Sequence, residues 1–295
     1  MHVNFLPKKK YTKTFILLIV FVCLLNNCFQ KNTLSIVSFN IRYENNKDSI
    51  NNWKNRKALV ASFLKEGKSD IICLQEVLYS QLVYLQIALP NYNSVGVGRL
   101  DGENRGEFTP IFFNTQTISL IEKGHFWLSE TPDKVGSIGW DANTARIATW
   151  ALFKDTKNGD MMYVINTHLD NKGKKSKKGS AKLIINWIKQ TTLGYPVILA
   201  GDFNMTEESD AYHAIVNNNT MIDSYKTTPI KKGVNYSYHN FGNKAIEKRT
   251  KIDYIFVSNN IHVISTIIQR EASQKQFMLS DHNPMTVEFQ LKKNR

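Results

Sequence analysis

Short runs of β-branched and aromatic residues recur along this chain, and several of them stop at a residue that an apolar core would not choose. The runs are LSIVSFN (34–40), DIICLQE (70–76), TPIFFN (109–114), ARIATWALF (145–153), MYVINTH (162–168), PVILAGDFN (196–204), KIDYIFV (251–257) and PMTVEFQL (284–291). Their length and β-branching predict strands, several of them buried on both faces. Apolar residues at helical spacing predict helices over Trp53 to Leu64, Ser80 to Leu89 and Lys182 to Ile188, with a weaker pattern over Asp210 to Val216. The expected class is therefore α/β, with helices covering sheets that hold long antiparallel stretches late in the chain. Asn40, Glu76, His168 and the pair Asp202 and Asn204 close their runs, and Asp253 lies near the start of one. Strand ends at one sheet edge converge in space, so these residues are expected to share one site.

Between Thr33 and Arg295 nothing reads as a linker, a low-complexity tract or a repeat, and this body is expected to be a single domain over residues 33–295. The first thirty residues differ. Lys8, Lys9, Lys10 and Lys13 precede the uncharged apolar run Phe15 to Leu25, which is shorter than the roughly 20 residues of a membrane span. A signal segment over 1–28 and export to the envelope or beyond are expected. Cys28 in LLNNC allows lipid attachment and membrane anchoring, although two Asn precede it where small residues are usual; the alternative is a secreted protein with Cys28 unmodified. Loss of this segment removes four lysines and no acid, so the formal charge falls from +13 to +9. A basic surface favours polyanions such as nucleic acid or an anionic membrane. Cys23 lies in the leader and Cys73 in a predicted buried strand, so no disulfide framework is expected. No protein partner is expected either.

Glu76, Asp202, Asp253 and Asp281 all lie against apolar neighbours. Buried carboxylates are costly unless paired, hydrogen-bonded or bound to metal, and four that meet need a cation. Mg²⁺ suits such oxygen ligands, and Mn²⁺ fits the same set. No Cys/His cluster at zinc spacing is present.

Six segments in order, SFNIR (38–42), LQEV (74–77), NTHLD (166–170), GDFN (201–204), IDYIFV (252–257) and SDHNP (280–284), make the chain resemble the endonuclease/exonuclease/phosphatase superfamily. The resemblance runs from Leu34 to about Phe289. FWLSETPD (126–133) and GWDANTARIATW (139–150) look more like a poorly characterised bacterial branch than like deoxyribonuclease I. The resemblance implies a four-layer α/β sandwich: two packed, mainly antiparallel sheets with helices outside. It implies a metal-dependent phosphoesterase. By the same resemblance Glu76 is the principal Mg²⁺ ligand, Asn40 the amide beside it that helps hold metal or phosphate, and Asp281 a second-site metal ligand or orienting carboxylate. Asp202 orients or deprotonates the attacking water, Asn204 binds a phosphate oxygen, and His282 contacts the scissile phosphate with Asp253 holding its far nitrogen. His168 matches a second histidine of the family, and Glu107 is the place to look for its carboxylate partner.

Arg146 is a candidate for pairing with substrate phosphate, and Asp170 a candidate substrate contact. Trp140 and Asp141 either wall a pocket or form a turn. His125, His213 and His239 read as loop or surface residues. The run NKGKKSKKGSAK (171–182), with six lysines, reads as a solvated flexible loop on the site's rim. Three functions compete: a nuclease favoured by the basic charge, a phosphatase for a sugar or inositol phosphate favoured by the aromatic segments, and a non-catalytic surface binding protein.

Overall fold

A computed structural model describes residues 1–2, 32–217, 220–270, 273–274 and 277–292. The leader residues Lys8 to Cys28, and with them the proposed lipid site, lie outside the described residues. From Thr33 onward the chain forms one compact unit.

The predicted runs form β1 (Leu34–Asn40), β2 (Ile71–Gln75), β4 (Ile111–Asn114), β6 (Ile147–Asp155), β7 (Met161–His168), β8 (Val197–Asp202), β11 (Asp253–Val257) and β15 (Met285–Leu291). Less apolar segments add β3 (Tyr92–Val95), β5 (Ile118–Trp127), β9 (Ile222–Asp223), β10 (Ile230–Gly233) and β12 (Ile261–Ile268), with a small hairpin of β13 (Ser273–Gln274) and β14 (Phe277–Met278). Among the described residues, one sheet has the order β10-β12-β15-β1-β2-β4-β3 and the other β5-β6-β7-β8-β11-β9. Both are mixed and mostly antiparallel; β1 and β2, β7 and β8, and β10 and β12 are parallel pairs.

Side-chain alternation sorts each strand between two cores. Ile36, Ile71, Cys73, Ile111 and Val287 of one sheet meet Phe153, Val164, Ile198, Ala200 and Ile255 of the other between the sheets. The opposite face of the first sheet, with Val37, Phe39, Ile72, Leu74 and Phe112, packs on Trp53, Val60, Leu64, Leu82 and Leu85 of the Trp53–Gly67 and Tyr79–Ala88 helices. The opposite face of the second, with Ile165, Leu199 and Phe256, packs on Ile184, Ile185, Ile188 and Tyr212 of the Lys174–Thr191 and Asp210–Val216 helices. This is the helix–sheet–sheet–helix sandwich.

The lysine run does not form a loop: the helix starts at Lys174, inside it. Ser176, Ser180 and Ala181 bury at helical spacing with Ile184, Ile185 and Ile188. Two carboxylates satisfy the opening backbone donors, Asp141 accepting from the N–H of Lys175 and Ser176 and Asp170 from Lys172 and Gly173. Charge repulsion among lysines is weaker than this capping plus burial.

Close packing fixes the strand ends that carry the site. Gly201 has φ +155°, and a Cβ there would stand 2.1 Å from the Thr167 carbonyl on the paired strand β7. Gly201→Ala is expected to lower stability by about 2–4 kcal/mol, since backbone and not a flexible side chain must give way. Thermal and urea melts followed by circular dichroism check it, and an unchanged midpoint would refute the clash.

Candidate active site

At one edge of the sandwich a cleft of about 510 Å³ is lined by Arg42, Tyr43, Glu76, Arg99, Glu107, Arg146, His168, Asp202, Asn204, Tyr238, Asp281 and His282 among others. The residues singled out at the strand ends do converge here. Two of them arrive by backbone turns that no strand could supply. Strand β2 ends at Gln75 and β8 at Asp202, and Glu76 (φ 59°) and Asn204 (φ 48°) adopt the left-handed region. That conformation costs of order 1–3 kcal/mol in a non-glycine residue, and it swings the side chain out of the strand's alternation into the cleft.

Asp202 lies at the centre. Its Oδ1 accepts the Asn204 N–H at 2.9 Å, and its Oδ2 accepts from Asn40 Nδ2 at 3.0 Å. The same oxygen lies 3.5 Å from His168 Nε2 and 3.8 Å from His282 Nε2. Strands β8 and β11 pair Asp202 directly with Asp253, which takes the Nδ1 side of His282 at 2.8 Å. Asp253 is held in turn: Ser237 Oγ accepts its N–H at 3.0 Å. The Tyr238 ring packs on the His282 imidazole with centroids 5.0 Å apart. Burial opposes charge on His282, but Asp253, Asp202 and Asp281 outweigh it and raise the imidazole to about 10. The Asp253 contact at Nδ1 favours the protonated ring, and Nε2 lies on the Asp202 side, 3.8 Å from that carboxylate.

Asn40, expected beside the metal, lies between two site carboxylates. It is fully buried, its Oδ1 accepts the Arg42 N–H, and its Nδ2 donates both to Glu76 Oε1 at 3.1 Å and to Asp202 Oδ2. Asn40 thus clamps two carboxylates together, with its Oδ1 taken once by the Arg42 N–H. His168 is held between several groups. Asn204 Nδ2 approaches its Nε2 at 3.0 Å and also donates to the Leu169 carbonyl, while its Nδ1 faces Glu107 Oε2 at 3.7 Å. The expected Glu107 partnership is present. Burial works against the Glu107 charge, yet His168, Arg99 and Arg146 hold its carboxyl down at about 2.

Asp170 does not face substrate. It is buried, and its oxygens are used by the N–H groups of Asn143, Lys172 and Gly173 and by Arg146 at 3.5 Å. Burial disfavours its charge, but these donors win and its acidity is increased. The sign follows: the folded pKa is depressed, so ionised Asp170 stabilises fully above its unfolded value near 3.8 and that stability is lost as pH falls through the lower folded value. Asp170→Asn is expected to cost about 1–3 kcal/mol at pH 7 and to flatten the fall of melting temperature below pH 4. Equal acid slopes for variant and parent would contradict this.

Several contributors carried no signal in the sequence reading. Arg42 follows Asn40 in SFNIR, pairs with Asp48 at 3.0 Å and lies 3.8 Å from Glu76. Arg99 comes from the turn-rich segment 96–107 and pairs with Glu107 at 2.8 Å. Asn166 spans the two sheets, accepting from Gln75 Nε2 at 2.7 Å and donating to the Leu74 and Pro110 carbonyls. His239 read as a loop or surface residue; it lies in a loop but is fully buried, its Nδ1 accepting the Gly242 N–H. Trp140 and Asp141 do form a turn, with Asp141 the helix cap described above, while the Trp140 ring also lines a surface groove with Pro132 and Leu183.

The donor set suits a hard divalent cation. Asp202, Asp253 and His282 each bring a ligand atom within 4.8 Å of the others, a group capable of coordinating one. Burial raises the Glu76 carboxyl, and the negative charges of Glu107 and Asp281 add to the rise against His168 and Asn40. A cation among these oxygens would relieve that repulsion.

Residues 37–282 match the family model described as Endonuclease/Exonuclease/phosphatase family. An endonuclease/exonuclease/phosphatase from Bacteroides vulgatus is 42% identical, covering 89% of this chain and 100% of that one, with a TM-score of 0.86. A mannosyl-6-phosphatase from Bacteroides thetaiotaomicron is 36% identical over 87% of this chain and 99% of its own, with a TM-score of 0.81. An uncharacterised protein of Acanthamoeba polyphaga mimivirus is 27% identical over 256 residues, 82% of this chain and 94% of its own length. With the sandwich, the converged carboxylates and imidazoles and these matches together, the chain belongs to the endonuclease/exonuclease/phosphatase family and is a hydrolase of phosphoester bonds.

Proposed function

We propose that the protein removes phosphate from a small phosphorylated molecule of the sugar-phosphate class, using Mg²⁺, with Mn²⁺ as an alternative. The carrying observation is the arrangement of Asp202, Asn204 and the Asp253–His282 pair in a cleft of about 510 Å³, a volume suited to a compact ligand. Similarity to a mannosyl-6-phosphatase along nearly the full length of both chains supports the substrate class.

Each residue has a part set by its contacts. Asp202, buried and already accepting from Asn40 and the Asn204 N–H, holds the attacking water and takes its proton. His282 donates its cleft-facing N–H to a phosphate oxygen, and its positive charge offsets charge building there. Asp253 prevents the ring from turning. Asn204 is aimed by His168, which Glu107 backs. Glu76 and Asp281 would hold a divalent cation, which would supply charge neutralisation at the phosphate.

A second reading, cleavage of nucleic acid, is favoured by the lysines on the outer face of the Lys174–Thr191 helix, where Lys175, Lys178 and Lys182 border a surface groove. One panel separates the two: mannose 6-phosphate, other hexose phosphates, a bis-aryl phosphodiester, plasmid DNA and RNA, each with Mg²⁺ and with EDTA. Metal-dependent phosphate release from a hexose phosphate with plasmid untouched supports the proposal. Plasmid nicking without phosphate release replaces it with the second reading.

A further inference from the structure

Beyond the reacting centre, two guanidinium groups line the same cleft. Arg146 is only 6% exposed, yet its Nε and Nη1 make no hydrogen bond to any described residue. Its nearest counter-charge is Asp170 at 3.5 Å, and that carboxylate already accepts three backbone N–H groups. Arg99 donates Nη2 to Glu107 at 2.8 Å and leaves its own buried Nε without a partner among the described residues. The two arginines are near enough to repel. Burial first, with the Arg146 charge adding to it against Glu107, depresses the Arg99 guanidinium below its ordinary value. Glu107 has to serve Arg99, Arg146 and His168 at once.

Two like charges with spare donors, one buried and one largely buried, are costly unless an anion completes them. Arginine forks match phosphate, sulfate and carboxylate oxygens. The His168 ring lies between Glu107, the partner of Arg99, and Asp202, its Nδ1 toward the first and its Nε2 toward the second. An anion held by the arginines on the Glu107 side of that ring would be distinct from a phosphate attacked at Asp202.

We infer that Arg99 and Arg146 form a second anion subsite, so that the preferred substrate carries a further phosphate or other oxyanion besides the ester that is cleaved. This rests on the phosphoesterase reading and narrows it: a sugar monophosphate attacked at Asp202 would leave the two arginines without a counter-anion. The further anion has two sources, a second group on one small molecule or the neighbouring phosphate of a strand.

The first arm needs no turnover. Thermal shift of the EDTA-treated protein is followed as sodium sulfate rises at constant ionic strength, for the parent, Arg99→Gln, Arg146→Gln, Arg146→Lys and Asn204→Ala. Sulfate is expected to stabilise the parent and Asn204→Ala alike, with the shift lost in both Gln variants and reduced in Arg146→Lys. Loss of the shift in Asn204→Ala with its survival in the arginine variants, or no shift in the parent, overturns the subsite. If Arg146→Gln does not fold, Arg99→Gln and Arg146→Lys still decide. This arm stands even if no ester is hydrolysed, so its failure and that of the phosphoesterase reading are separate results.

The second arm compares kcat/KM for fructose 1,6-bisphosphate against fructose 6-phosphate, and for a thymidine tetranucleotide against thymidine 5′-p-nitrophenyl phosphate. In one of these pairs the preference for the more highly charged compound is expected to fall about tenfold or more in each Gln variant. A fall in the first pair assigns the anion to a small molecule, and in the second to a strand. Unchanged ratios in both overturn the inference.

Discussion

Asp202→Asn is expected to lower kcat/KM by about 10²–10⁴-fold while the protein remains folded. The carboxylate is 1% exposed and receives Asn40, the Asn204 N–H and two imidazoles at 3.5 and 3.8 Å. A neutral amide keeps one oxygen for the Asn204 N–H but cannot take a proton from water. Its NH₂ would also confront Asn40 Nδ2, so a stability cost of about 1 kcal/mol accompanies the change. Steady-state hydrolysis and circular dichroism melts on the same preparation read both effects. Parent-like turnover by a folded variant would remove Asp202 from the chemistry.

Glu76→Gln is expected to act through metal. Its carboxylate is gripped by Asn40 at 3.1 Å and the Tyr43 N–H at 3.2 Å, with Arg42 at 3.8 Å, so its orientation is fixed before any ion arrives. Removing its charge should raise the Mg²⁺ concentration for half-maximal activity by about 100-fold and abolish the Mg²⁺-dependent rise in melting temperature. Metal-free stability should hold or increase, because the substitution removes a buried charge that Glu107 and Asp281 oppose. Unaltered Mg²⁺ dependence in both readouts would place the cation elsewhere, with Asp202, Asp253 and His282 the next group to test.

Much of this site was legible before folding because strand chemistry is local. A buried strand needs several apolar residues in succession, so a polar residue at its end stands out, and Asn40, His168, Asp202 and Asp253 were visible for that reason. Their residue types also predicted oxygen-rich metal chemistry. What each one does was less legible. Asn40 and His168 each bind other site residues, and only contacts across 36 to 162 positions of chain reveal it. Glu76 and Asn204 look like continuations of their strands, whereas tertiary packing holds both in left-handed turns.

The lysine run shows the limit most directly. Six positive charges in twelve residues argue for solvent and flexibility, and the local pattern has no acid to offset them. The acids come from elsewhere, Asp141 from 34 and 35 positions earlier and Asp170 from just before the helix. Arg99 was equally hidden, since nothing about a turn-rich segment announces that its arginine will be largely buried beside Arg146.

The sequence by itself determined the strand periodicity, the α/β class and the acids and imidazoles available for chemistry, because these follow from side-chain type and short-range spacing; the sandwich came from the resemblance carried by six ordered segments. Tertiary structure alone decided which oxygens Asn40 clamps, which histidine Asp253 holds, where the lysine helix begins and that two arginines line one cleft. Those are properties of pairs, set by burial and by distances between residues far apart in the chain.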